Sequence, residues 1–205
     1  MFTALAEDDR PRPCDSNGKG IVMKIKLLSA VAVVALAVAG GTIAAGNPMV
    51  GGAPMYANKN IIQNAVNSKD HTTLVAAVKA GGLVDTLQGP GPFTVFAPTN
   101  AAFAALPPGT VDTLLKPENK ATLDKILTYH VVAGRLDSGM LDQQIANGGG
   151  KAVLKTVQGE PLTIQGSGEN LTVTDEKGGT AHITIADVYQ SNGIIQVVDT
   201  VLIPN

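Results

Sequence analysis

An α+β fold follows from three features of this 205-residue chain. Apolar residues between Ile61 and Ile145 recur mostly at helical spacing, whereas those from Ala152 to Val198 recur mostly at period two. Clusters of Gly, Pro, Asn and Ser cut the second half into pieces of strand length. Helices gathered ahead of a strand meander mark α+β, and with no internal repeat the module occurs once.

Residues 1–22 read as an extension outside the fold, either untranslated or without regular structure. Glu7, Asp8 and Asp9 precede Pro11, Pro13 and Gly18, which disfavour helix and strand alike, and Met23 stands where an exported chain would start. Residues 23–45 read as a signal peptide. Lys24 and Lys26 supply the positive start, Leu27 to Ala39 the apolar run, and Gly40 to Ala45 the small residues. A membrane span needs about 20 apolar residues, more than this run offers. Cleavage after Ala44 or Ala45 is preferred to Ala39, and an uncleaved anchor is the alternative. The expected location is therefore secreted, periplasmic or at the cell surface. The one cysteine, Cys14, precedes the signal, so no disulfide is expected in the exported part.

The exported part opens with a Gly/Pro/Ala-rich stretch, residues 46–58, expected to be an extended lead-in, and residues 59–205 form one domain. Ile61, Ile62, Ala65 and Val66 predict a first helix. Asp70 is expected to cap a second, Thr72 to Lys79, with Leu74, Val75 and Val78 on its apolar side and Gly81-Gly82 as its stop. Leu83, Val84 and Leu87 continue briefly before Gly89-Pro90. Phe93 to Phe96 predicts a strand, ended by Ala97-Pro98, after which Thr99 caps a short helix burying Phe103 and Leu106. Thr110 to Leu115 makes another turn or two. Pro117 opens a helix with Leu123, Ile126 and Leu127 as its stripe, leading into a strand expected at Tyr129-His130-Val131-Val132. Asp137 or Ser138 caps a helix carrying Met140, Leu141 and Ile145, stopped by Gly148-Gly149-Gly150. Strands are then expected at Ala152 to Val157, Leu162 to Gln165, Leu171 to Thr174, His182 to Tyr189 and Ile194 to Val198. Asn192-Gly193 is expected to turn the last hairpin through positive φ.

Three ordered phrases carry a resemblance to a known family. Thr94-Val95-Phe96-Ala97-Pro98-Thr99-Asn100 with Phe103, the pair Tyr129-His130, and the closing stretch Asn192 to Pro204 resemble the signatures of fasciclin-like domains. The match runs from about Asn60 to Pro204. The resemblance implies a wedge of about seven mainly antiparallel strands flanked by several short helices, used in adhesion or extracellular association. Within it, Phe96, Pro98, Thr99, Asn100, Phe103, Asn192, Gly193 and Asp199 define the fold. Gln196 departs from the family pattern, in which a His commonly follows Asn-Gly and two apolar residues, so no imidazole role is carried to that position. Asp199, just past the last strand, is placed to accept backbone N–H groups of a neighbouring segment.

The polar inventory points away from catalysis. His71, His130 and His182 are the only imidazoles, no Gly-x-Ser-x-Gly elbow is present, and Gly166-Ser167-Gly168 reads as a hairpin turn. No two histidines have the i, i+4 spacing of a helix-borne zinc pair, and no metal or cofactor is expected. A net charge of −2 argues against nucleic acid as partner. Two roles are open for Tyr129 and His130: an interaction surface, or a buried imidazole pinning the helix-to-strand junction. The expectation is a monomeric module that contacts a cell-surface or matrix protein or glycan through the loops around Tyr129-His130 and the helix Ser138 to Ala146. The alternative is a binder of a small apolar or lipid ligand between helices and sheet. A hydrolase comes last.

Overall fold

Start and stop signals lie close together along this chain, so its helices are short and its sheet does most of the organising. The computed structural model describes residues 47–168 and 170–205. The expected extension and signal peptide, with Cys14 and Met23, lie outside the described residues.

A small ladder comes first, β1 (Met49–Val50) pairing antiparallel with β2 (Ala53–Pro54). This corrects the expectation of a plain extended lead-in. Gly51 and Gly52 both take positive φ, 58° and 73°, as a two-residue hairpin requires, and Val50 and Met55 are buried. Helix α1 (Ile61–Ala65) begins with a reciprocal capping box between Asn60 and Gln63. A 3-10 turn at Lys69–His71 precedes α2 (Thr72–Gly81), which Gly82 ends at φ 75°. Asp70 sits inside that turn and does not cap α2, contrary to expectation. After α3 (Val84–Gln88) comes β3 (Phe93–Pro98), then α4 (Asn100–Ala104), where Thr99 Oγ1 accepts from Ala102 N at 3.3 Å.

Helix α5 (Thr110–Leu114) and a 3-10 turn at Pro117–Asn119 lead to α6 (Lys120–Tyr129). His130 is the C-cap of α6, so the strand expected at Tyr129 starts later, as β4 (Val131–Ala133). Asp137 Oδ1 accepts from Met140 N at 2.8 Å and opens α7 (Ser138–Asn147). The meander is β5 (Lys151–Lys155), β6 (Pro161–Gln165), β7 (Thr172–Thr174), β8 (Thr180–Gln190) and β9 (Gly193–Val198).

Seven strands form one sheet in the order β4-β3-β9-β8-β7-β6-β5, antiparallel except for the pair β3–β9. Its two ends meet, since Val132 bridges Thr156 and Val157 N–H donates to Val131 O at 2.7 Å. The sheet is thus curled on itself. β3 and β9 are covered on both faces, which explains their continuous apolar runs. Val95, Ala97, Ile195 and Val197 pack with the helices α1, α2, α3 and α6. Phe96 and Val198 pack on the other side, with Leu141 of α7 and Leu162, Ile164 and Val173 of the meander. β8 joins these two halves through register shifts between Ile183 and Val188, where Asp187 takes φ 57°.

Candidate functional site

Tyr129 and His130 turn inward at the end of α6. His130 is 3% exposed, with Nδ1 2.8 Å from Ile126 O and Nε2 accepting from Leu202 N at 3.0 Å. An accepting Nε2 assigns the proton to Nδ1 and makes the ring neutral. Burial pulls its pKa down to about 4, against smaller upward effects of the Ile126 carbonyl and Asp175. Tyr129 is wholly buried; its hydroxyl donates to Pro161 O at 3.0 Å and accepts from Glu176 N at 3.3 Å. Burial pushes its pKa up to about 12. Neither side chain offers the contact surface expected of the pair. His130 is held under the final segment through Leu202, and the Tyr129 hydroxyl is enclosed by the backbone at Pro161 and Glu176. Asp175 Oδ2 accepts from Ile203 N at 3.0 Å, and Glu160 Oε2 from Asn205 N at 3.0 Å.

The remaining signature residues tie distant backbone groups together. Phe96 fills one core and Phe103 the other, and Pro98 closes β3 opposite Val198. Asn100 Oδ1 accepts from Thr73 N at 3.0 Å, while its Nδ2 donates to Lys69 O at 2.8 Å. Asn100 therefore caps α2 from another helix. Asn192 Oδ1 accepts from Ile61 N at 3.1 Å, and its Nδ2 donates to Leu87 O at 2.7 Å and Gly89 O at 3.1 Å. The Asn192-Gly193 turn does not use positive φ. Glycine is needed there for close approach, since a Cβ on Gly193 would stand 2.1 Å from Phe93 O. Asp199 Oδ1 accepts from His182 N at 2.8 Å, as anticipated.

Gln196 is fully buried and works as a polar hub. Its Oε1 accepts from Asp187 N at 3.1 Å, and its Nε2 donates to Leu136 O at 3.2 Å and Asp187 Oδ1 at 3.1 Å. Asp187 also accepts from Ser138 N at 2.8 Å and from the Ser138 hydroxyl. Sequence reasoning missed Asp187. An Asp in a strand-like run is the one available signal, because a charged residue there implies a bulge or an exposed edge.

Two apolar cavities lie between the helices and the sheet, of about 50 Å³ and about 20 Å³. Both are lined by Ile61, Ala65, Leu74 and Val95, so together they form one seam beneath α1 and α2. His71 lines the smaller one and is 3% exposed. Its Nδ1 is 2.9 Å from Ser68 Oγ, whereas Nε2 has no hydrogen-bond partner. Burial lowers its pKa, with the Ala97 carbonyl and Asp70 opposing weakly. Among the described residues, no group of three or more His, Cys, Asp or Glu could hold a metal ion.

The family model described as "Fasciclin domain" matches residues 69–204. The chain belongs to the fasciclin family. Protein sll1483 of Synechocystis sp. is 45% identical to this fasciclin domain over 146 residues, covering 70% of the chain and 73% of that protein. Immunogenic protein MPB70 of Mycobacterium bovis is 37% identical over 196 residues, covering 86% and 93%. Cell surface glycolipoprotein MPB83 of the same species is 32% identical over 206 residues, covering 98% and 85%. Among solved structures, a FAS1 domain pair from the insect cell adhesion molecule Fasciclin I matches with a TM-score of 0.50 at 24% identity. That likeness spans 63% of this chain and 43% of the insect chain, and it concerns the fold. The fasciclin fold here takes in residues ahead of the family match, since Val50, Met55 and Ile61 belong to its core. No helix among the described residues is long and apolar enough to cross a membrane.

Proposed function

We propose that this fasciclin domain is an exported module for adhesion or association, acting at the cell envelope or outside the cell by surface contact with a protein or glycan, without catalysis. One observation carries the reading: the chemically versatile residues of the signatures are committed to the fold itself. Asn100, His130, Asn192, Gln196 and Asp199 all bond backbone groups of other elements. A relative named as a cell-surface glycolipoprotein supports the location.

With Tyr129 and His130 enclosed, the proposed contact surface is the outer face of α7 and the neighbouring strand β5. Met140 is 44% exposed and Val153 is 62% exposed there. Gln144, Asn147 and Lys151 line the groove between helix and strand. Exposed apolar side chains rimmed by polar ones are the usual composition of a contact patch. The test is capture from an envelope extract by the purified protein, beside its Met140→Glu and Val153→Glu variants. Retention of one defined partner, lost in both variants at unchanged thermal midpoint, is the expected result. Equal retention by all three proteins, or none by the wild type, counts against the proposal.

A second reading is favoured by the seam beneath α1 and α2. It makes the domain a binder of a small apolar or lipid ligand. The two cavities are too small for such a ligand as they stand, since an apolar cavity known to take up benzene measures about 150 Å³. Binding therefore requires α1 to move outward. Thermal stabilisation by lipids, and not by glycans, distinguishes this reading from the first.

A further inference from the structure

We propose that residues 199–205, which follow β9, form an acid-opened strap beside His130, held shut at neutral pH by side chains that lose their grip when protonated. The proposal is independent of the adhesion and ligand readings above.

The support is the way this segment is tied down. Asp199 N–H donates to His182 O at 3.2 Å, and beyond it, among the described residues, no backbone-to-backbone bond involves 200–205. Each N–H of 202–205 goes instead to a titratable side chain. Leu202 N donates to His130 Nε2, Ile203 N to Asp175 Oδ2 and Asn205 N to Glu160 Oε2, all at 3.0 Å, while Pro204 has no N–H to give. The Asn205 side-chain amide adds a bond to Glu176 Oε2 at 2.7 Å. The acceptors sit at the C-cap of α6, in the β5–β6 turn and in the β7–β8 turn. The strap can therefore lift without breaking a ladder bond.

Acid acts on these tethers in one direction. His130 Nε2 has a single lone pair for the Leu202 N–H, and a proton there sets donor against donor. A carboxyl group accepts an N–H less strongly than a carboxylate does. The Glu160 pKa is lowered: desolvation opposes this, but the Asn205 N–H, Gln158 and Lys125 outweigh it. Its contribution is present above the ordinary carboxylate value and is lost as pH falls through its lowered one. Two further charged groups face the strap. Lys125, 3.3 Å from Glu160 Oε1, donates to Asn205 O and stays charged throughout, and Asp199 accepts from His182 N at the strap's root. Leu202, packed in the meander-side core, is an apolar anchor whose hold does not vary with pH. Burial keeps the His130 pKa at about 4 while the strap is shut. Lifting it returns the ring to water and to 6.5, so opening gains about a hundredfold between pH 7 and pH 4.

The experiment is hydrogen exchange on the purified protein, read by NMR from pH 7 to pH 4 with and without low urea. It compares protection of the Leu202 amide with that of Ile195 in β9. Leu202 protection should fall about a hundredfold, starting below pH 6.5 and indifferent to urea, while Ile195 stays better protected and responds to urea. In His130→Phe the Leu202 amide should exchange fast at every pH. If that variant does not fold, the wild-type series decides alone. Leu202 and Ile195 with equal protection and the same urea response would mean that the strap opens only with the whole domain, which overturns the proposal. Leu202 protection that does not change with pH overturns it as well.

Discussion

His130 sits in the protein as a neutral ring whose two nitrogens have opposite jobs, donor to Ile126 and acceptor from Leu202. Protonation would convert the acceptor into a second donor facing an N–H. With a folded pKa of about 4 against 6.5 when free, the unfolded chain binds the proton more readily between those values. The stability tied to His130 is therefore complete above pH 6.5 and declines as pH falls toward 4, by roughly 3 kcal/mol in all. His71, also lowered by burial, adds in the same direction. Denaturant titrations across this window should show that decline, and it should be shallower in His130→Phe. That variant should also lose about 2 kcal/mol at pH 7, from the orphaned Leu202 N–H and Ile126 carbonyl. Gly193→Ala should cost about 3 kcal/mol or more, because its Cβ meets the backbone of β3 with no flexible neighbour to yield. Gly139→Ala is the control. Its Cβ would meet only Asp137 Oδ1, at 3.6 Å, and better helix propensity should add about 0.5 kcal/mol. Thermal or chemical unfolding of the two variants checks both signs.

At the scale of elements, local signals were legible and remote partners were not. Thr99 announces its helix because a cap lies within three residues of the group it serves. Asn100 announces nothing, since the donor it satisfies, Thr73 N, is 27 positions away. The mistaken role for Asp70 has the same origin: a plausible cap next to a helix start was outcompeted by one delivered through the tertiary fold. Asn192 is a sharper case, holding Ile61 across 131 positions while looking like ordinary hairpin chemistry. The burial of Tyr129 and His130 was equally hidden, because the groups that enclose them arrive far along the chain: Pro161 and Glu176 for Tyr129, 32 and 47 positions on, and Leu202 for His130, 72 positions on. Asn100→Ala should destabilise by about 1 kcal/mol, with hydrogen exchange faster in the first turn of α2 than elsewhere in the helix. Deleting residues 47–55, the β1–β2 hairpin together with Met55, removes Val50 and Met55 from the core and should cost about 3–5 kcal/mol. If that truncation unfolds no more easily than the full chain, the hairpin is an appendage and not part of the domain.

At the scale of the whole molecule, the described residues build two apolar cores that share the strands between them, β3 and β9. Neither core can lose those strands without exposing the other. Leu123→Ala on the helical side and Leu162→Ala on the meander side should each cost about 2–5 kcal/mol. Both should shift one common transition, with far-UV and near-UV signals coinciding. Separate transitions would mean that the halves unfold independently. The α+β class and the order of elements were readable in advance because periodicity is local. The parallel partnership of β3 with β9, and the curl that brings β4 to β5, were not, because no nearby residue encodes them.

The position of β9 in time differs from its position in space. It lies inside the sheet, between β3 and β8, yet it is made after every other strand of that sheet, and its partner β3 precedes it by about a hundred residues (Phe93 pairs with Gly193). A nascent chain lacking β9 has neither the wall that separates the two cores nor the hub residue Gln196. Such a chain has nothing to close upon, and non-local pairing of this kind is slow even when the strand is present. The topology thus acts as a delay: this sheet cannot close until β9 has been made.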